Sequence, residues 1–179
     1  LAFNDAVRDA NMVPIQILAA TTQDKMLTLW DALAGQSLGS WSEPTATLVD
    51  KVASHPNKAE LAVSVVMPMN GSEIQILDIS QPATPNPTRR LRDQLVSSVS
   101  RLSYNFDGSL LAAVDGFPSP WLRIWKTDSR RIRPPLFSQQ FHFYDFAWKP
   151  GAYVFYAGYG GNVQIFRCPQ TCTTFQQSQ

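Results

Sequence analysis

The stretch MLTLWD at residues 26–31 has three counterparts along the chain: EIQILD at 73–78, WLRIWK at 121–126 and NVQIFR at 162–167. In each, aliphatic residues alternate with a polar one and a large apolar residue follows: Trp30, Leu77, Trp125 and Phe166. Apolar–polar alternation is the pattern of a β-strand. The four large residues act as anchors for the reading, and they lie 47, 48 and 41 residues apart.

Working outward from each anchor phrase finds the same neighbours. An apolar strand precedes it: Ile17–Thr22, Leu61–Met67, Leu110–Val114 and Val154–Gly158. Before three of these strands stand tight-turn residues: Ser-His-Pro-Asn at 54–57, Asn-Phe-Asp-Gly at 105–108 and Lys-Pro-Gly at 149–151. Further upstream lie the alternating segments Leu48–Ala53, Val99–Tyr104 and Phe143–Trp148. After each anchor comes a more polar strand: Gln36–Trp41, Arg89–Leu95, Arg130–Phe137 and Thr171–Gln176. Four short strands in a unit of roughly 40–50 residues are the signature of a β-propeller blade. The expected fold is therefore all-β: one array over 1–179 of four-stranded antiparallel blades at about 1–42, 43–95, 96–138 and 139–179. No stretch keeps apolar residues at helical spacing for three turns without Pro or Gly. Asp5–Asn11 reads as a turn. Pro82, Pro85 and Pro87 lack ladder donors, so Gln81–Thr88 is expected to be an exposed connection outside the sheet.

The composition is that of a globular chain, with 44% hydrophobic and 16% charged residues. No apolar run approaches the roughly 18–20 residues that span a bilayer, so no transmembrane segment is expected. The chain starts at Leu1 rather than Met, which leads to the expectation that it is a portion of a longer one. Its net charge is +1, but nine basic and only four acidic residues lie between Arg89 and Arg133, leaving the remainder net acidic. Two cysteines, Cys168 and Cys172, form no disulfide framework, so the cytosol or nucleus is expected.

The repeats resemble those of the WD-repeat (β-transducin-like) propellers. Asp24-Lys25-Met26-Leu27-Thr28-Leu29-Trp30-Asp31 is similar to the family's aspartate, strand and Trp-Asp ending, and Asn105-Phe106-Asp107-Gly108 to its turn between first and second strands. The resemblance implies a structural role for Asp24 and Trp30, in a hydrogen-bonded tetrad that ties the turn to neighbouring strands. The other repeats depart from the pattern. Gly71, Ser119 and Gly160 stand where the aspartate would be, and Thr45, Leu95 and Gln139 replace the family's Gly-His pair. The family usually closes its ring with seven blades, so the resemblance implies that sequence outside these residues completes it. It further implies a non-catalytic scaffold that binds other proteins within a larger complex.

Two features are candidate contact sites. Arg89-Arg90-Leu91-Arg92 and Arg130-Arg131-Ile132-Arg133 repeat one pattern 41 residues apart, each on an expected outer strand. Such a basic rim suits an acidic partner (a phosphorylated or acidic peptide, RNA backbone or anionic lipid headgroups), although charged outer strands also prevent edge-to-edge pairing. The aromatic residues Trp41, Phe117, Trp121 and Tyr159 fall in or beside loops and are candidate binding anchors. Catalysis has little support. His55, beside Pro56 in a turn, is expected to face solvent, and His142 and Asp145 would point to opposite faces of a strand. Of the first strands' charged residues, Asp50, Arg101 and Asp145 are the channel-facing candidates. Cys168 and Cys172 lack nearby histidines, and Gly158–Gly161 reads as a hairpin rather than a phosphate loop, so no enzyme activity, metal or cofactor is expected.

Overall fold

The computed structural model describes residues 1–8, 14–22, 25–68, 71–95, 98–115, 121–127, 137–140, 145–149, 151, 154–159, 162–167 and 176–177. They form four four-stranded antiparallel sheets and, among the described residues, no helix. Blade one contains β1 (Ala2–Arg8), β2 (Pro14–Thr21), β3 (Met26–Asp31) and β4 (Gln36–Ser42). Blade two contains β5 (Leu48–Ser54), β6 (Glu60–Met67), β7 (Gly71–Asp78) and β8 (Asn86–Leu95). Blade three contains β9 (Val99–Tyr104), β10 (Leu110–Asp115), β11 (Trp121–Lys126) and β12 (Phe137–Gln140). Blade four contains β13 (Asp145–Trp148), β14 (Val154–Tyr159), β15 (Asn162–Arg167) and β16 (Gln176–Gln177). In every sheet the spatial order follows the chain. The fold is thus an array of propeller-type blades, as the spacing of the anchors predicts.

Strand register explains why the anchors recur. Each pairs across its sheet in the same row: Phe3–Leu18–Trp30, Ser54–Leu61–Leu77, Tyr104–Leu111–Trp125 and Trp148–Phe155–Phe166. Successive strand residues face opposite sides, so Leu77 packs toward blade one while Ile74 and Ile76 pack toward blade three. The first core joins Val7, Ile17 and Leu29 of blade one to Val49, Val63 and Leu77 of blade two. The second joins Ala62, Ile74 and Ile76 to Leu102, Tyr104 and Trp125. Full burial of each such aliphatic side chain is worth about 1.5–3 kcal/mol, which drives blade upon blade. Leu77, Trp125 and Phe166 are buried against this stacking, whereas Trp30 is 39% exposed, no described blade lying on its side.

β6 is buried on both faces and reads as an almost unbroken apolar run, Leu61 to Val66. Its one polar residue has a defined use. The pairing of β5 with β6 shifts register between Val49 and Val52, and there Ser64 Oγ accepts the Lys51 N–H at 2.8 Å. A buried amide displaced from the ladder is thereby satisfied.

Three local expectations are corrected. Asp5–Arg8 belongs to β1 rather than to a turn, because Asn4 Oδ1 accepts the Ala6 N–H at 3.0 Å and stabilises a register shift inside the strand. The Pro-rich segment is not wholly outside the sheet. β8 begins at Asn86 and Pro87 sits opposite Leu77, tolerated because β8 is an outer edge strand and the register shifts there. Nor is that segment wholly exposed: Pro85 is buried, and a Cβ at Gly39 of β4 would run into the backbone of Pro82 and Ala83. His55, finally, is buried at 3% exposure, covered by blade three.

Candidate functional site

The first strand of each blade faces a common axis; β5 packs against β1 and β9, and β13 against β9. Between them lies a cleft of about 770 Å³, within the size range of ligand sites, roughly 300–1,000 Å³. Lys51, Arg101, Lys149 and Asp50 contribute its charges, and Phe3, Phe106 and Trp148 are among its apolar walls. Pro56, Phe106 and Lys149 lie in or beside the turns that join first to second strands, so these turns line one end of the cleft. The Asp50 carboxylate is held by Lys51 Nζ at 2.6 Å. Asp50 and Arg101, read from the sequence as channel-facing, thus both line the axis. Asp145 is in β13, and nothing of its side chain is described.

The rim arginines are set by strand alternation. Arg89 lies opposite Ile76 and Arg90 opposite Gln75, so their side chains leave β8 on opposite faces. Arg89 pairs with Glu60 at 2.7 Å and donates to the Thr127 carbonyl, which joins blade two to blade three. Arg90 bridges Glu43 at 3.1 Å and Glu73 at 3.2 Å. Gln75 Nε2 donates to the same two carboxylates, at 2.9 and 2.7 Å. The hydrogen bond from Gln75 holds the Glu43 carboxyl below the usual carboxylate range, with Thr45 and Arg90 assisting against a desolvation penalty. These three acids are partners that sequence reasoning missed. Glu43 and Glu60 are 47 and 29 residues from the arginines they hold, so no local pattern announces them.

A second polar cluster lies between blades two and three. The His55 ring lies 5.0 Å from that of Tyr104, and its Nδ1 accepts the Asn57 N–H at 3.1 Å. Desolvation keeps the His55 imidazole below its ordinary pKa of 6.5, and burial pushes the Tyr104 phenol up. Gly108 closes over His55 so tightly that any Cβ would overlap the imidazole, and its carbonyl accepts from Thr127 Oγ1. Among the described residues no group of three His, Cys, Asp or Glu could hold a metal ion.

The other sequence-predicted residues are spread over the fold rather than gathered. Trp41 is the penultimate residue of β4 and packs on the first core. Trp121 opens β11 with the Arg123 guanidinium 5.4 Å from its ring. Both are at the ends of their sheets opposite the turns that line the cleft, and neither lines it. Arg92 is in β8 and Tyr159 in β14, with nothing described of their side chains. Asp24, Phe117, Arg130, Arg131, Arg133, His142, Gly160, Gly161, Cys168 and Cys172 lie outside the described residues. The Trp-Asp ending does have a visible function. Asp31 Oδ1 accepts the N–H groups of Leu33 and Ala34, each at 2.9 Å, and caps the turn from β3 to β4. Asp78 Oδ1 accepts the Ser80 N–H at 2.8 Å in the corresponding turn of blade two.

The stacked four-stranded meanders and the axial cleft define the class: this is a β-propeller-type chain. No protein-family model matches it, and neither does any curated protein. Among solved structures, a chain in a crystal structure of the mitotic checkpoint complex is similar in fold, with a TM-score of 0.57 at 14% identity. The similarity covers 91% of this chain and 60% of that one, so the present residues span about three-fifths of that neighbour's length. At this identity the likeness concerns the fold.

Proposed function

We propose that the chain is a divergent member of the WD-repeat propellers and a non-catalytic platform for protein–protein interaction within a larger assembly. The observation that carries this reading is a stack of blades packed through two apolar cores and held at the rim by partly buried ion pairs, while aromatic and cationic side chains line an open axial cleft. Pre-ordered strands keep the entropic cost of binding low. The turn-capping aspartates after Trp30 and Leu77 supply the physical reason for a Trp-Asp-like ending. The structural neighbour's membership of a multi-protein complex points the same way. The candidate contacts are the aromatic residues Trp41, Phe117, Trp121 and Tyr159 and the rim residues Arg92, Arg130, Arg131 and Arg133, whereas Arg89 and Arg90 are engaged by Glu60, Glu43 and Glu73.

The test is photocrosslinking in native extract, with a benzophenone amino acid placed at Trp41, Trp121 or Arg92 and, as control, at the exposed residue Gln81, which lines no part of the cleft. Defined protein adducts from the first three positions, in a fraction that migrates as a complex, are expected. Adducts to RNA or lipid alone, or migration as a free monomer, would overturn the reading.

A further inference from the structure

We infer that two copies of this chain close into one ring, the open face of blade four in each copy docking head to tail on the open face of blade one in the other. This goes beyond the interaction reading above and does not depend on it. The contacts between blades inside the chain share one chemistry. The third strand of a blade offers two aliphatic side chains at alternate positions, and the anchor row of the next blade covers them. Leu27 and Leu29 of blade one thus share a core with Leu77 of blade two, and Ile74 and Ile76 of blade two share one with Trp125 of blade three. Leu122 and Ile124 hold the same positions in β11, and they and Phe166 of blade four are buried likewise.

The two ends of the stack carry the unused halves of this contact. The row Phe3–Leu18–Trp30 of blade one faces away from blade two, with Phe3 61% and Trp30 39% exposed. Val163 and Ile165 hold in β15 the positions that Leu27 and Leu29 hold in β3, and Val163 is 66% exposed. A repeat that ends a stack turns a polar face to water. Blade one instead ends in an apolar row of the kind that marks an association surface. Within one copy the described residues do not close the ring: first-strand packing runs from β1 to β5, from β5 to β9 and from β9 to β13, and both end faces stay accessible.

The chain itself is the occupant that fits, because docking Val163 and Ile165 on Phe3 and Trp30 repeats an interface that it already makes internally. Each copy supplies one row and one aliphatic pair, so two copies leave no face over. A head-to-tail contact closes into a ring when its rotation fits. Two arrays of four sheets give eight blades, inside the range of about four to eight with which propellers close. Pairing blade one with blade one would instead set aromatic row on aromatic row and leave Val163 in water.

The test is sedimentation velocity on the full chain and its variants, and a dimer is expected for the parent. Trp30→Glu and, as a second change on the same face, Phe3→Glu should each weaken self-association about ten-fold or more, because each buries an unpaired carboxylate in the contact. Val163→Glu should do the same from the other face. Circular dichroism should not change, since all three side chains are exposed. Trp30→Glu keeps the blade-four face and Val163→Glu keeps the blade-one row, so a mixture of the two should regain a dimer that neither forms alone. Dimerisation of Val163→Glu by itself would mean that blade one pairs with blade one, and would overturn the inference. So would a parent that stays monomeric at every concentration, its row being left for a different protein or a further blade, or a parent that forms an open ladder of higher masses. Each of these results leaves the platform reading to its own test in extract.

Discussion

Replacing Gly108 by alanine asks whether blades two and three meet at a point with no room to spare. Gly108 has φ +77°, in the left-handed region, where an L-residue is strained by about 1–2 kcal/mol. A Cβ there would overlap Cε1, Nε2 and Nδ1 of His55. The imidazole has no free space to retreat into. It is 3% exposed, lies against Tyr104, and holds the Asn57 amide through Nδ1. Overpacking of this kind adds about 1–3 kcal/mol. The predicted cost of Gly108→Ala is therefore about 2–5 kcal/mol, a large share of the roughly 5–15 kcal/mol that holds a domain together.

Urea denaturation at neutral pH, followed by tryptophan fluorescence, measures this directly. Gly35→Ala is the internal control: Gly35 has φ +67°, and a Cβ there meets nothing within 4 Å. It carries the backbone strain without the clash. The difference between the two variants isolates the inter-blade contact and should exceed about 1 kcal/mol. A cycle with His55→Ala should show the two changes compensating, with a coupling of about 0.5–3 kcal/mol. If Gly108→Ala is no worse than Gly35→Ala, or if the cycle is additive, the close approach argued here is wrong.

Two further predictions concern the same interface. Because the folded state holds His55 below its ordinary pKa of 6.5, its contribution is fully present above that value and is lost as pH falls through 6.5 toward the depressed folded pKa. Unfolding free energy should drop over that window by at most about 1.4 kcal/mol per pH unit, read as a falling melting temperature; His55→Gln should remove this slope and His142→Gln should leave it. Arg89→Met leaves the Glu60 carboxylate and the Thr127 carbonyl without the guanidinium between them. The expected cost is about 1–3 kcal/mol, between exposed and buried pairs; an Arg89–Glu60 double-mutant cycle showing no coupling would refute the bridge.

How much of this was legible in the sequence depends on how far each cause lies along the chain. Strand phrases and turns arise within about ten residues, so the anchors and the blade pattern could be read directly. The anchors recur because the backbone places them in one row, and that row is a local consequence of hairpin register. What escaped reading was set by another blade. His55 follows a turn and precedes a proline, both signals of exposure, yet it is covered by Tyr104 and Gly108 about 50 residues later. The arginine doublet reads as a basic patch until strand alternation sends its members to opposite faces and distant acids claim each one. In β1, the asparagine that satisfies its own strand's displaced amide immediately precedes the segment that polar composition marks as a turn.

The residue that follows each anchor row shows how a degenerate repeat can still build a stack. In the first three blades it is Asn4, His55 and Asn105, and all three are buried. Asn4 Nδ2 crosses to blade two, donating to Ser54 Oγ at 2.8 Å and to the Lys58 carbonyl at 2.9 Å. His55 reaches blade three through ring contact and shape, and Asn105 closes its own turn. The chemistry differs each time, so no motif survives in the sequence, but each solution ties a turn where first and second strands meet. Buried polar groups must find partners or cost about 1–3 kcal/mol each, and each of these residues meets that demand with a different set of atoms. The fourth occupant of this position is Lys149, which is exposed and lines the axial cleft. A position used three times for internal ties thus becomes, in the fourth blade, a charge offered to the cleft, on a register the fold has already fixed.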